Sequence, residues 1–516
     1  MSSKLQDDPL RVSRIISVIA ATWIAISCGT NYAYSAWAPQ FAEQLHLTAT
    51  QSNIIGNAAN IGMYAVGIPV GLVVDNKGPR WATTMGVTCL VCGYFPLWSA
   101  YNKGPGQSSF FFLCLASLLT GIGSCSCFSG AIKVCATNWP RHRGTATALP
   151  LSAFGLSAFA YTTISGLAFP HDAGHLLLFL AIGTATTITT GMLFLRILPQ
   201  TPVYKHVSQR DRPASLGRDS NELHRTNSRQ GKHSRKPSVL EDPGVHRSDS
   251  FETSSLLSSP VDHSDEPTDV DKDPRLHKPD ITGWALLRSG AFWKLWVLLG
   301  LLCGVGLMTI NNIGNDAKTL WHHWDDSASK AFISRRQLMH VGILSICSFV
   351  GRLCSGIGSD FLVKSFNSSR YWSLVASALI FTAAQISALR IENPHWLFVL
   401  SGLTGLAYGA LFGVYPALVA DAFGAAGMGI NWGAMTMAPV LSGNIFNLIY
   451  GANLDAHSDH PEGSERVCLD GRVCYSDAYI VTLFASLAGV GWSLWCVHHE
   501  RKERKALEKL LDLHQG

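Results

Sequence analysis

The sequence predicts an all-α membrane protein of twelve transmembrane helices in two pseudo-symmetric six-helix bundles. Three observations predict it. Only 15% of the 516 residues are charged and 47% are hydrophobic, whereas soluble domains carry about a quarter charged residues. Apolar runs near the roughly 20 residues a helix needs to cross a bilayer recur along the chain. They fall as six, a long polar gap, then six more.

In order, the first six runs are 15–37, 53–75, 81–100, 110–134, 145–167 and 175–197, and the last six are 292–314, 337–359, 371–390, 395–419, 431–452 and 477–497. The chain divides accordingly into an N-terminal tail 1–14, a first bundle 15–198, a linker 199–285, a second bundle 286–498 and a C-terminal tail 499–516. Residues 1–10 are polar and lead into the first run with no small-residue cleavage site, so that run reads as an uncleaved span. The linker is rich in Ser, Arg, Asp, His and Pro, a composition that buries too little apolar surface to order itself. The basic C-terminal tail continues the last span as a short helix, facing anionic lipid heads or merely solvated.

Lysine and arginine in short loops set the orientation. With the N-terminus in the cytoplasm, that side receives Lys4, Arg11, Arg14, Lys77, Arg80, Lys133, Arg141, Arg143, Lys364, Arg370 and the basic tail. The far side receives Lys103, Lys318, Lys330, Arg335, Arg336, Arg390, Arg466 and Arg472. The ratio is nearly two to one, and both termini fall inside. Segment 315–336 runs against the trend, with four basic residues outside. A net charge of +5 is too weak and dispersed to indicate nucleic acid.

Most of the 13 cysteines lie in apolar runs, where they behave as small hydrophobes. No Cys/His spacing resembles a zinc site, and no metal or cofactor is expected. Cys468 and Cys474 instead lie in the hydrophilic loop after the eleventh run, on the non-cytoplasmic side, where an oxidising lumen lets them pair.

The halves repeat each other. Gly71 and Asp75 end the second run as Gly356 and Asp360 end the eighth, and Gly144 precedes Pro150 as Gly433 precedes Pro439. Such repeats suit a pair of bundles that open alternately to each side. The stretch Gly71-Leu72-Val73-Val74-Asp75-Asn76-Lys77-Gly78-Pro79-Arg80 resembles the loop signature of the major facilitator superfamily. Gly71 is expected to let helices approach closely and Gly78 to permit a tight turn. The resemblance makes Asp75 a cytoplasmic latch on the N-terminus of span eleven near Gly429; the alternative is that Asp75 and Arg80 only cap helix ends.

Gly304-Val305-Gly306-Leu307-Met308-Thr309-Ile310-Asn311-Asn312-Ile313-Gly314 is similar to the seventh span of nodulin-like transporters. The segment from Tyr408 to Pro416, Trp432-Gly433 through Ala438-Pro439, and Ala59-Asn60-Ile61-Gly62-Met63-Tyr64 are similar to the fungal monocarboxylate-permease homologues of vacuolar membranes. The resemblance covers both bundles but not the linker. It implies a transporter fold and leaves the substrate open.

In that architecture the solute site lies near mid-bilayer between the halves. Lys133, Arg352, Asp360 and Asp421 all fall near predicted cytoplasmic ends, and no mid-span Asp, Glu or His is evident to carry a proton. The polar candidates are Asn31, Tyr32 and Tyr34 late in span one, and Asn311 and Asn312 late in span seven. They either face solute or hold helices together. Tyr408 and Tyr415, seven apart on span ten, share one face and either line the same cavity or pack. Gly121, Gly123 and Gly130 mark close contacts of span four.

In the linker, Glu252 stands four residues before the pair Leu256-Leu257, the pattern of an acidic dileucine sorting signal that an adaptor binds; together with the family resemblance it favours a vacuolar or lysosome-like membrane over the plasma membrane. Ser215, Ser238 and Ser248 follow basic residues as kinase sites do, or by chance. The sequon at Asn367 falls in the cytoplasm and is expected to stay unmodified. With no G-x-x-x-x-G-K-[ST] loop, the expected function is secondary active or facilitative transport of a small solute, a monocarboxylate-like organic anion being one candidate. The rival is a sensor that binds solute and signals through the linker. A polytopic enzyme would need clustered His, Asp or Glu near one face, which the sequence lacks.

Overall fold

A computed structural model describes residues 11–139, 143–169, 172–198, 281, 283–325, 327–423, 428–458 and 468–515. Among these, helix dominates and no strand occurs. The membrane helices of both halves belong to one compact unit. Most of the linker, with Glu252, Leu256, Leu257 and the three serines, lies outside the described residues, as does the side chain of Asp75.

Twelve helical passes follow one another. Span one is Arg11–Cys28, a tight turn Thr30–Ala33 and Tyr34–Gln44; span two is Ala49–Tyr64 with Gly67–Lys77. Spans three to six are Pro79–Lys103, Phe110–Asn138, Arg143–Ala168 and Ala173–Phe194. A short helix, Trp284–Arg288, precedes span seven, Gly290–Trp324. Spans eight to ten are Lys330–Phe366, Tyr371–Arg390 and Leu397–Phe423; span eleven is Met428–Met435 with Met437–Ala456, and span twelve is Ser476–Gln515. By length and composition alone, nine candidates among the described residues can cross a membrane, and the bent second span makes ten. Spans three and eleven complete the dozen. Large apolar side chains such as Trp23, Phe111, Leu167 and Phe484 point outward, as lipid-facing residues do.

Local chemistry sets the boundaries. Thr48 starts span two with a reciprocal cap, its hydroxyl accepting from the Gln51 amide at 3.0 Å while Gln51 Oε1 accepts from the Thr48 amide at 3.0 Å. Asp172 caps span six at Gly174 N, 2.7 Å. Gly78 turns the chain between spans two and three at φ +91°, a conformation that suits glycine. The bends have a cause too. Pro69 and Pro439 offer no N–H to Ala65 and Met435 four residues earlier, and spans two and eleven break at those points.

Close crossings tie the passes together, and the two halves repeat them. A Cβ on Gly62 or Gly121 would meet backbone of the other's span at 2.2 and 2.0 Å, joining spans two and four. Gly351 and Gly409 do the same for spans eight and ten, at 2.4 and 2.1 Å. Gly123 and Gly130 likewise crowd span three.

The structure corrects four expectations. Segment 315–336 is mostly helix: span seven runs to Trp324 and span eight begins at Lys330. Its charges are tolerated because Lys318 and Lys330 pair with Glu43 at 2.8 and 2.6 Å, and Arg336 lies over Phe332 and Trp321. Gly71 makes no close approach, for a Cβ there would have nothing within 4 Å. Arg352 does not sit at a helix end. Finally, Asp316 and His340 are ionisable residues buried inside spans seven and eight.

Candidate solute-binding site

The breaks in spans one and two place the centre of the molecule. Gly29 must cross span five closely, since a Cβ there would stand 2.3 Å from Phe154 O. The following turn Thr30–Ala33 swings Tyr32 inward, and the break after Tyr64 does the same on span two. Their hydroxyls meet that of Tyr408 from span ten. Tyr32 and Tyr64 are 3.0 Å apart, Tyr64 and Tyr408 2.8 Å, and Tyr32 and Tyr408 3.3 Å. Cys303 Sγ of span seven reaches the Tyr408 hydroxyl at 3.6 Å. Two phenols from the first half and one from the second thus close a triangle across the boundary.

Beside it lies a buried cation. The Arg352 guanidinium of span eight stands 5.3 Å from the Phe154 ring and 5.7 Å from the Phe412 ring, and these rings pack on Tyr32 and Tyr408. Arg352 is 5% exposed. One nitrogen donates to Leu151 O at 3.1 Å; Nε and the other terminal nitrogen are buried with no protein partner. No carboxylate pairs with it among the described residues. Removing such a charge from water costs several kcal/mol, which two desolvated cation–π contacts of about 2 kcal/mol each offset in part.

The predicted polar residues separate into two groups. Tyr32 and Tyr408 meet at the centre. Asn31 accepts from Thr120 at 3.3 Å and, like Asn311, keeps a buried amide nitrogen without a protein partner. Asn312 is tied to Asn447 at 2.9 Å and serves packing. Tyr34 bonds Ser52 at 3.0 Å within the first half, and Tyr415 donates to Leu295 O at 2.5 Å within the second. Tyr415 therefore does not share the Tyr408 cavity. Tyr64, Phe154 and Phe412 were not singled out from sequence, although Tyr64 ends the quoted span-two motif.

Around this centre the halves meet on both sides. Toward the face opposite the termini (the outer face), Asp455 at the end of span eleven accepts from the amides of Ala49 and Thr50 at 2.6 and 2.8 Å, capping span two. Gln40 donates to Gln337, and a Cβ on Gly314 would stand 1.9 Å from Ser35 O. On the other side the two proline bends touch: Thr436 donates to Tyr64 O at 3.0 Å, and Gly433 faces Ile68. At the level of the centre, just outward of Arg352, Ser345 of span eight donates to Gly155 O of span five at 2.6 Å.

At the termini face Arg80, Asp360 and Arg370 act within their own halves. Arg80 Nε donates to Leu195 O at 3.2 Å, satisfying the end of span six. Asp360 pairs with Arg370 at 2.6 Å, and Arg370 also holds Asp421 at 2.8 Å. A Cβ on Gly356 would stand in ordinary contact with Gly413 O at 3.7 Å. Cys468 and Cys474 form a disulfide before span twelve.

Two helical bundles clasping a polar, cationic centre, with seams on either side of it, define a membrane carrier fold. The sequence pattern of the Major Facilitator Superfamily matches residues 20–446, and the chain belongs to that superfamily of membrane transporters. It is 30% identical to the "uncharacterized membrane protein YMR155W" of Saccharomyces cerevisiae over 95% of each chain. It is 24% identical to the "probable transporter MCH1" of Gibberella zeae, over 93% of this chain and 89% of the relative. The structure of a bacterial homolog of the human lysosomal transporter Spinster, inward-facing and unoccupied, aligns over 95% of this chain and 98% of its own, with a TM-score of 0.61 and 12% identity. At that identity the likeness concerns the fold alone.

Proposed function

We propose that this transporter moves a small organic anion, holding its carboxylate on Arg352 and its polar substituents on Tyr32, Tyr64 and Tyr408. The observation that carries the reading is the buried guanidinium with two unpartnered nitrogens beside three phenols drawn from both halves. A carboxylate completes the charge, and a guanidinium fork suits it. Rocking of the halves about this point, outer seam against inner seam, exposes the solute to each side in turn. The name "probable transporter MCH1" carried by relatives supports transport. The solute changes its location and not its covalent structure.

In this reading both termini and the linker 199–285 lie in the cytoplasm, a sorting adaptor binds Glu252, Leu256 and Leu257, and the protein resides in a vacuolar membrane. Supporting that placement are the basic residues of the termini-side loops and a disulfide on the opposite side.

The test uses full-length protein in liposomes with radiolabelled lactate, pyruvate, glucose and choline. Uptake of an anion that Arg352→Gln abolishes is the expected result. Uptake of glucose or choline that survives the substitution contradicts it.

A further inference from the structure

Asp316 lies in span seven, fully buried. Its carboxyl group accepts from two phenols: Tyr450 of span eleven reaches Oδ1 at 2.6 Å and Tyr479 of span twelve reaches Oδ2 at 2.6 Å. A third ring, Tyr475, stacks on Tyr450 at 6.5 Å, its hydroxyl buried without a protein partner. None of the ion pairs among the described residues includes Asp316. The neighbouring charges are engaged elsewhere. Lys318 turns to Glu43; Arg472, before span twelve, donates to Leu389 O at 2.7 Å and pairs with Glu392. His340 of span eight contacts Ser401 at 3.1 Å, and His323 contacts Leu469 O at 2.7 Å.

We propose that Asp316 is a proton-binding site that couples solute movement to a proton gradient. A buried carboxylate held by neutral donors alone is costly as an anion and cheap as an acid. The proton binds one carboxyl oxygen, whose new O–H donates to its phenol's oxygen while the other oxygen still accepts. Both states are therefore hydrogen-bonded, as a group that must load and unload requires. A metal ion fits less well, because both oxygens already accept from hydroxyls and no cluster of three or more His, Cys, Asp or Glu among the described residues could hold one.

The site is also wired to the outer seam. Tyr450 is followed by Gly451, whose Cβ would stand 2.7 Å from Thr50 Cα, and then by Asp455 on the amides of Ala49 and Thr50. A change of charge at Asp316 bears on Tyr450 and so on the stretch of span eleven that holds the two halves together there. The proposal deepens the organic-anion reading, since a proton and a monocarboxylate moving together carry no net charge.

Infrared titration of the full chain in lipid, with no solute, tests it independently of that reading. From about pH 5 to about pH 9, the carbonyl stretch of a buried protonated acid is expected to fade as pH rises and to be absent throughout in Asp316→Asn. Tyr450→Phe and Tyr479→Phe each remove a donor to the anion, and each shifts the half-loss upward by about one pH unit or more. These two keep the test valid if Asp316→Asn does not fold. A band constant over the range, or none attributable to Asp316, overturns the proposal. So does a titration displaced by sodium but not by choline, which assigns the group to a metal cation.

Discussion

The Arg352 guanidinium rests 5.3 Å from the Phe154 ring centroid, so span eight leans on span five across the boundary between the halves. Arg352 also donates to Leu151 O of that span, while two of its nitrogens stay unpartnered. In the proposed reading, affinity for an anion and a cost to the empty protein share one side chain.

From this follows an opposition between stability and activity. Arg352→Gln removes a buried charge whose lost solvation Leu151 O and two aromatic rings replace only in part, and the solute-free melting temperature is expected to rise by about 1 to 2 °C. The same variant loses about 30-fold or more in anion affinity, the consequence of removing one partner of a buried charged pair. Thermal unfolding with and without lactate reads both.

Asp455 holds the outer seam by capping span two. A cap contributes about 0.5 to 2 kcal/mol, which corresponds to roughly a 2- to 30-fold shift in an opening equilibrium. Asp455→Ala is therefore expected to speed maleimide labelling of a Ser35→Cys reporter by that factor, measured against the same variant lacking the reporter. An unchanged rate would show that the cap does not restrain this face.

Gly314 faces Ser35 O at a distance that leaves no room for a methyl group. Gly314→Ala forces the seam apart at a cost of about 1 to 3 kcal/mol. It too is expected to raise labelling at Ser35→Cys. Gly71→Ala, inside a helix with open space around it, is expected to leave labelling unchanged and to raise the melting temperature slightly.

The Cys468–Cys474 bridge closes a short loop against the start of span twelve, with both residues buried. Cys468→Ser is expected to cost about 2 kcal/mol of stability. A mass map of this loop shows one bridged peptide that separates into thiols only on reduction.

Hydropathy located the middle of every span, because lipid demands a long apolar helix whatever its neighbours. It failed at the ends. Span seven looked finished at Gly314, since Asp316, Lys318 and His322 read as a loop, yet the helix continues for ten residues and Glu43, Tyr450 and Tyr479 satisfy two of the three. Hydropathy ends span eight at residue 359 and so puts Arg352 near a cytoplasmic end. The helix reaches Phe366, and the guanidinium lies about two turns deeper. The pairing of Tyr32 with Tyr408 crosses 376 residues, a relation no local pattern carries. Tyr64 ends the motif Ala59–Tyr64, but only the helix break after it reveals where its ring points.

The most direct measurement is counterflow. Full-length protein is placed in liposomes preloaded with unlabelled lactate or pyruvate, with the labelled anion outside. A carrier whose central site faces one side at a time predicts that internal anion accelerates uptake of the label, and that Arg352→Gln removes both uptake and acceleration. Label that binds without crossing, or that crosses at a rate indifferent to the anion within, would contradict it.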